Sequence, residues 1–279
     1  MKIGIVGLGL IGGSLGLDLM QQGHQIVGIA RRPQTCQEAI DRQVVHQAGS
    51  DYSLLSGVDV VFVCTPIAAI EATVVEMAPW LDNNTVVTDV GSVKAAVVTA
   101  ATHHWPRFVG GHPMAGKTEV GLEAAEPGLF KERAYVLTPV EKTPSEAVEV
   151  VSTLVHDLNA KLYKCSPATH DRAVAWISHL PVMVSSSLIR ACLSESNPTV
   201  AELAQALASS GFRDTSRVGG GPPELGLMMA HYNRDALLIS LQAYQDQLDK
   251  VVSLIQAEDW EGVQQHLIQT QAARPKFVS

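Results

Sequence analysis

The chain has 279 residues and a net charge of −8, with 46% apolar and 17% charged residues, so it lacks the basic footprint of a general nucleic-acid binder. No segment has the pattern of a signal peptide or of a membrane span, and we expect a cytoplasmic protein with neither a nucleic-acid nor a membrane partner. The length predicts two domains, and four cysteines without a Cys-x-x-Cys pair favour a reducing compartment over a disulfide scaffold.

The first part of the chain alternates strand-like and helix-like segments. Strands are predicted over 3–6, 25–29, 58–64, 85–89, 108–110, 134–138 and 161–163. Helices are predicted between them, over 11–22, 36–43, 67–80, 93–103 and 145–158. This alternation is typical of the α/β class with a mainly parallel sheet. We therefore predict that residues 1–165 form one domain with a doubly wound, mainly parallel sheet.

The remainder of the chain shows only helical spacing. Helices are predicted over 168–192, 199–209, 231–256 and 260–271, and Pro181 should interrupt the first of them because its ring opposes the carbonyl of Ile177. Residues 166–279 are predicted to form an all-helical domain. The helix predicted over 236–254 carries more apolar surface than one small helical domain easily hides, which predicts a homodimer.

A glycine motif of the form G-x-G-x-x-G follows the first strand and opens the first helix. In such a motif the first glycine makes the turn, the second admits a diphosphate and the third lets the helix pack on its strand. The predicted cofactor contacts are Gly7, Leu8, Gly9, Leu10, Ile11 and Gly12. An overlapping match to the nucleophile elbow of hydrolases places Ser14 inside the helix rather than on the turn, which disfavours a hydrolase.

The segment after the second strand indicates which dinucleotide is bound. Domains that bind NAD usually have an Asp or Glu at the end of this strand, which binds the ribose 2′-hydroxyl. Residues 30–35 contain no acidic residue, and two of them are arginines. Because guanidinium groups bind phosphate through charge-assisted hydrogen bonds, we predict NADP, with contacts from Arg31, Arg32 and Thr35. The alternative is that the two arginines are solvated side chains on a loop.

Segments that follow other strands should border the nicotinamide, because ligands bind at the carboxyl ends of strands in open α/β sheets. The predicted contacts there are Cys64, Thr65, Pro66, Gly91 and Ser92. Ser92 also has the alternative role of a helix N-cap. His112 is predicted to lie on a loop between glycines and a proline, and a histidine with a pKa near ~6.5 is the natural acid or base at neutral pH. The histidines show no metal-ligand spacing, so no metal is predicted.

The chain resembles the prephenate/arogenate dehydrogenase family in five segments that occur in the same order and span nearly its whole length. These segments are 7–12, 89–94 (DVGSVK), 110–116 (GGHPMAG), 178–181 (SHLP) and 212–217 (FRDTSR). The resemblance implies that residues 1–165 are a Rossmann-type dinucleotide-binding domain and that residues 166–279 are a helical substrate and dimerisation domain. It also implies NAD(P)-dependent oxidative decarboxylation of a cyclohexadienol.

By this resemblance, the catalytic residues are His112, which accepts the hydroxyl proton, and Ser92, which orients the hydroxyl or the imidazole. The implied substrate-binding residues are Arg217, His179, Arg213 and Thr118, with Arg217 on the ring carboxylate. Arg213 is also expected to form a structural pair with Asp214. Some relatives that use prephenate read Gly-Thr-Glu after the histidine segment, whereas this chain has one residue more, G-K-T-E over 116–119.

The longer loop and the similarity to short, single-function arogenate dehydrogenases favour arogenate, which would give tyrosine with NADP as the oxidant. One alternative is a prephenate dehydrogenase that forms 4-hydroxyphenylpyruvate, and another is a sensor that binds NADP without turnover. The 3-hydroxyacid and 6-phosphogluconate dehydrogenases also combine Rossmann and helical domains. They resemble one another in having a catalytic lysine early in the second domain, whereas this chain has no lysine between Ser166 and Asp249.

Overall fold

The computed structural model describes residues 1–117 and 119–278, so the predicted contact Thr118 lies outside the described residues. One eight-stranded sheet has the order β3-β2-β1-β4-β5-β6-β7-β8. Neighbouring strands run parallel except for the antiparallel pair β6 and β7, which confirms the α/β class and the mainly parallel sheet. The strands are β1 Lys2–Val6, β2 Gln25–Ile29, β3 Gln47–Gly49, β4 Val60–Val63, β5 Val86–Asp89, β6 Phe108–Pro113, β7 Ala134–Thr138 and β8 Lys161–Lys164.

Helices cover both faces of this sheet. The first five are α1 Leu10–Gln21, α2 Pro33–Asp41, α3 Ile67–Met77, α4 Ala95–His104 and α5 Ser145–Asp157. All four residues of β4 are buried, with Phe62 in the hydrophobic cluster on one face and Val61 and Val63 in the cluster on the other. A continuous apolar strand is what a sheet covered on both faces requires.

Two strands differ from the sequence prediction. β6 is longer than predicted and contains His112, which pairs with Val136 of β7, so the predicted loop position of His112 is wrong. Hydrogen bonds from β7 extend β6 as far as Pro113, and this pairing cannot be predicted from the residues of β6 alone. β3 was not predicted, because its three residues include a polar and a glycine residue and give no apolar signal.

The helices after residue 166 begin with one that is interrupted as predicted. A π-helical turn over Ala175–His179 separates α6 Pro167–Val174 from α7 Leu180–Cys192, which confirms the effect expected of Pro181. The others are α8 Pro198–Leu207, α9 Ser210–Ser216, α10 Pro223–Tyr232, α11 Arg234–Gln256 and α12 Trp260–Ala273. Within residues 1–117 and 119–278, none of the helices is long and apolar enough to cross a membrane.

The chain divides into two compact units, Met1–Asn233 and Arg234–Ser279. The first contains the sheet and α1 to α10, and the second contains α11 and α12, which pack against each other. The predicted functional boundary between residues 165 and 166 is a different division, based on the change from alternating to helical spacing, and it stays a prediction.

The segment 119–130, which connects β6 to β7, is attached to the first two helices. The Ser14 hydroxyl accepts a hydrogen bond from the Glu126 amide at 3.1 Å, and the Asp18 carboxylate accepts one from the Gly128 amide at 2.7 Å. Arg42 donates to the Leu122 carbonyl at 2.5 Å. Because Ser14 is fully buried and occupied in this way, it is not an exposed nucleophile, as its position inside the helix predicted.

Candidate active site

The turn between β1 and α1 leaves open space at one glycine and none at the other two. A Cβ on Gly7, whose φ is +103°, would lie 2.6 Å from the Cys64 carbonyl oxygen, and a Cβ on Gly12 would lie 2.0 Å from the Gly7 carbonyl oxygen. Among the residues that the structure describes, none would lie within 4 Å of a Cβ on Gly9. Gly9 is the N-cap of α1 and offers no side-chain cap, so the first amides of the helix can bind an anion. These residues fit a dinucleotide diphosphate.

A cleft of about 780 Å³ opens next to this turn, at the carboxyl ends of β1, β2 and β4, where the strand order reverses. Ligands of open α/β sheets bind at this place. The sequence-predicted contacts that line the cleft are Gly7, Leu8, Gly9, Arg31, Arg32, Thr35, Cys64, Thr65 and Pro66. The predicted contacts that do not line it are Leu10, Ile11, Gly12, Gly91 and Ser92.

Three polar residues of this cleft were missed by the sequence analysis: Tyr52, Thr73 and Glu76. Burial and then the nearby Glu76 carboxylate raise the pKa of Tyr52, and the Arg31 guanidinium opposes them. Arg31 and Glu76 therefore both act on the Tyr52 phenol, with opposite effects on its pKa. Thr73 and Glu76 are three positions apart on α3, a helical spacing that could have pointed to a shared face.

The His112 imidazole is almost completely buried, with an exposed fraction of 8%, and its Nδ1 lies 2.8 Å from His170 Nε2. Burial, followed by the nearby basic groups Lys94, His170 and His179, holds the pKa of His112 well below its ordinary value. The ordinary pKa near ~6.5 that the sequence suggested is therefore wrong for this environment. A neutral imidazole is the form that can accept a proton.

A buried ion pair between Lys94 and Asp89 lies beside His112, and the sequence analysis did not identify it. The Lys94 ammonium donates to the Gly111 carbonyl at 2.7 Å, and the Asp89 carboxylate accepts from the Gly111 amide at 3.1 Å. The pair therefore fixes the residue immediately before His112. Both residues belong to the segment 89–94, where Asp89 ends β5 and Lys94 precedes α4, and this placement was the available signal.

The N-terminus of α4 is capped by a residue that is distant in sequence. Asp171 accepts hydrogen bonds from the amides of Lys94 and Ala95, both at 2.8 Å and about 77 positions away. The N-cap position is Lys94, so the alternative reading of Ser92 as the N-cap is wrong. Ser92 lies two residues before the cap and is half-buried.

His179 lies at the end of the π-helical turn and is fully buried. Its Nδ1 lies 3.0 Å from the side-chain amide of Asn233, which also donates to the Asp171 carbonyl at 2.8 Å. An amide N–H donates, so His179 Nδ1 accepts and Nε2 carries the proton. Among the described residues Nε2 has no hydrogen-bond partner. Burial lowers the pKa of His179 to about 4, so the ring is neutral.

The two arginines of the segment 212–217 are exposed, Arg213 on α9 and Arg217 at the start of the next turn. That turn is fixed to α7 by a 2.8 Å hydrogen bond from the Gly219 amide to the Ser185 hydroxyl. Within residues 1–117 and 119–278, no salt bridge joins Arg213 to Asp214, so the expected structural pair is wrong. The structure brings His112 and His179 into one buried cluster and leaves both arginines at the surface.

Family models match most of the chain. The model for the nucleotide-binding domain of prephenate dehydrogenase matches residues 15–164, and the model for its dimerization domain matches residues 166–269. The chain is 33% identical over 268 residues to the prephenate dehydrogenase of Bacillus subtilis (strain 168), an alignment that covers 93% of this chain and 71% of that protein.

Two crystal structures match over essentially the whole chain. The arogenate dehydrogenase of Synechocystis is 51% identical, with a TM-score of 0.92 and 100% of both chains covered. The prephenate dehydrogenase of A. aeolicus, in complex with hydroxyphenyl propionate and NAD+, is 26% identical, with a TM-score of 0.93 and coverage of 99% of this chain and 98% of that one.

Proposed function

Because the chain belongs to the prephenate dehydrogenase family, an oxidoreductase family, we propose that it oxidises arogenate with NADP to give tyrosine and carbon dioxide. The observation that carries the choice of substrate is the 51% identity, along the full length, to the arogenate dehydrogenase of Synechocystis. The second candidate is prephenate, because the Bacillus subtilis relative, at 33% identity, is a prephenate dehydrogenase.

The preference for NADP rests on the charges at the end of β2. Arg31, Arg32 and Thr35 line the cleft, and a 2′-phosphate there would receive charge-assisted hydrogen bonds from the guanidinium groups. Glu76 lines the same cleft and would repel a phosphate placed against it. We infer that the phosphate lies on the arginine side. Arg31 then exchanges part of its interaction with Tyr52 for the phosphate.

The bound nicotinamide supplies the hydride acceptor. His112 accepts the proton of the ring hydroxyl, which pushes electrons into the ring as the hydride leaves. Ser92 orients the hydroxyl, and Arg217 binds the ring carboxylate that departs as carbon dioxide. The unpartnered Nε2–H of His179 donates a hydrogen bond to an acceptor oxygen of the substrate.

A four-way assay tests the proposal. The purified protein is mixed with arogenate or prephenate and with NADP or NAD, and formation of the reduced nicotinamide is followed by absorbance. We expect the highest kcat/KM with arogenate and NADP. A higher value with prephenate would favour the second candidate, and binding of NADP without turnover of either substrate would indicate a sensor.

The His112→Asn variant tests whether His112 is the base. Asparagine can form a hydrogen bond but cannot accept a proton, so kcat should fall by about 10²–10⁴ while NADP affinity is retained. A kcat close to that of the wild type would contradict the assignment of His112 as the base.

A further inference from the structure

A chain of hydrogen bonds connects His112 to a buried carboxylate. His112 Nδ1 lies 2.8 Å from His170 Nε2, and His170 Nδ1 lies 2.8 Å from an oxygen of Asp171. All three side chains are buried, with exposed fractions of 8%, 2% and 5%. The two histidines are 58 positions apart, on β6 and α6, so the fold rather than the local sequence brings them together.

The Asp171 carboxylate can only accept in this place. Its two oxygens accept the amide hydrogens of Lys94 and Ala95 at the first turn of α4, where the helix dipole favours a negative charge. The Asn233 side chain holds the backbone of Asp171 by donating to its carbonyl. The third donor to this carboxylate is His170 Nδ1. If Asp171 were protonated, its hydroxyl would face one of these donors and could not accept from it.

With both imidazole rings neutral, these contacts determine where their protons lie. A neutral imidazole has one N–H and one lone pair. Because the carboxylate accepts from His170 Nδ1, that nitrogen carries the hydrogen and His170 Nε2 carries the lone pair. His112 Nδ1 then donates to His170 Nε2, and the lone pair of His112 is on Nε2. That nitrogen forms no hydrogen bond to any residue in the described ranges.

We propose that His170 and Asp171 are positioning residues that hold His112 in the tautomer whose Nε2 is free to accept the substrate proton. This inference rests on the proposed function, in which His112 is the base. When Nε2 takes the proton, the O–H bond of the substrate breaks, an N–H bond forms, and a positive charge develops on His112. The hydrogen bond from Nδ1 to His170, which is itself bonded to the carboxylate, stabilises that charge.

This stabilisation matters because the rest of the site opposes a cation on His112. The Lys94 ammonium, which belongs to the buried ion pair with Asp89, disfavours a second positive charge nearby, as does burial itself. The chain to Asp171 is therefore the path by which a negative charge acts on the protonated base. A purely structural role of Asp171 as the cap of α4 would need no histidine between it and His112.

Two variants of His170 separate positioning from packing. His170→Leu removes the acceptor for His112 Nδ1 and should lower kcat about 10²-fold, while KM for arogenate and the affinity for NADP change less than threefold. His170→Gln places an amide oxygen near the position of Nε2 and should recover at least tenfold of the lost kcat. Thermal unfolding of both variants verifies that they fold. Equal losses in the two variants, or a kcat within threefold of wild type in His170→Leu, would overturn the proposal.

The tautomer itself is measured by ¹⁵N NMR of the histidine-labelled protein without substrate. The His112 signals are identified by their disappearance in His112→Asn. We expect Nδ1 to be protonated and Nε2 unprotonated in the wild type, and a mixture of tautomers in His170→Leu. A wild-type spectrum with the proton on Nε2 overturns the inference whatever the activity. Conversely, failure to oxidise arogenate or prephenate would refute the proposed function and leave this spectrum as the decisive test of the tautomer.

Discussion

Alanine at Gly12 should lower folding stability, whereas alanine at Gly9 should weaken dinucleotide binding, although the two residues lie in the same turn. The Cβ of Gly12→Ala would lie 2.0 Å from the Gly7 carbonyl oxygen, more than an ångström inside normal contact, and the backbone must move. Overpacking of this kind costs about 1–3 kcal/mol of folding stability. Gly9 has φ −107° and ψ −157°, which alanine adopts without strain, and no atom of residues 1–117 and 119–278 lies within 4 Å of its Cβ. Its substitution should change stability by less than about 0.5 kcal/mol.

The effect of Gly9→Ala should emerge only when the dinucleotide is present. At a ligand concentration 100 times Kd, binding stabilises the wild type by about 2.7 kcal/mol, which raises Tm by roughly 5–10 °C in a chain of this size. If the added methyl weakens binding 100-fold, the same concentration stabilises the variant by only about 0.4 kcal/mol. Gly12→Ala should instead be destabilised with and without the ligand.

The assay is thermal unfolding of the wild type and the two variants, each with and without NADP. Gly211→Ala serves as the control, because its Cβ also meets no atom of the described residues within 4 Å, and Gly211 lies on α9, away from the turn. Its Tm should rise with NADP as much as that of the wild type. An undiminished rise in Gly9→Ala would refute the reasoning that the open space at Gly9 receives the diphosphate, and an unchanged apo Tm in Gly12→Ala would refute the packing argument.

Arg31→Ala should raise KM for NADP by about 10- to 150-fold and leave KM for NAD unchanged, and equal changes for both would contradict the phosphate contact. Arg217→Ala should act mainly through KM for the substrate, because the ring carboxylate is already charged in the ground state, and a pure kcat effect in steady-state assays would argue against this role. The pKa of buried His179 is about 4, so as the pH falls the unfolded chain takes up this proton before the folded chain does. About 3 kcal/mol of folding stability that is present above pH 6.5 is therefore lost between pH 6.5 and about 4. Urea unfolding of His179→Gln should show a smaller loss over this range. Sedimentation at micromolar concentration should give a dimer, since the part that matches a dimerization domain exposes apolar residues such as Leu238 and Leu267. A mass near that of one 29.8 kDa chain would contradict this prediction.

Features that depend on neighbours along the chain were accessible from the sequence. The glycine turn, the alternation of strands and helices, and the interruption before Pro181 are all determined within a few residues. The parallel direction of the first strands follows from the same local pattern, because parallel strands are joined by crossover connections that are usually helical. His112 could be identified as a candidate by its surroundings in the sequence, but its place inside β6 could not, since the pairing with β7 is not local.

The partners of His112 were not accessible for the same reason. Nothing in the sequence indicates that His170, one of ten histidines, meets His112, or that the cap of α4 is Asp171 rather than the nearby Ser92. A serine before a helix is a sound N-cap prediction, and it failed because a distant carboxylate satisfies the same amides. The buried pair of Asp89 and Lys94 likewise requires the strand order to be known before the two side chains can be placed against Gly111.

The attachment of the segment 119–130 has a consequence for the motions of the protein. The segment has no helix or strand of its own, yet the amides of Glu126 and Gly128 are bonded to Ser14 and Asp18 of α1. These amides can exchange with deuterium only when the segment separates from α1, so we expect exchange rates typical of a helix rather than of a loop. The segment that follows His112 and the helix that follows the glycine turn should then open together as one cooperative unit, and a ligand bound at the glycine turn would slow exchange in both.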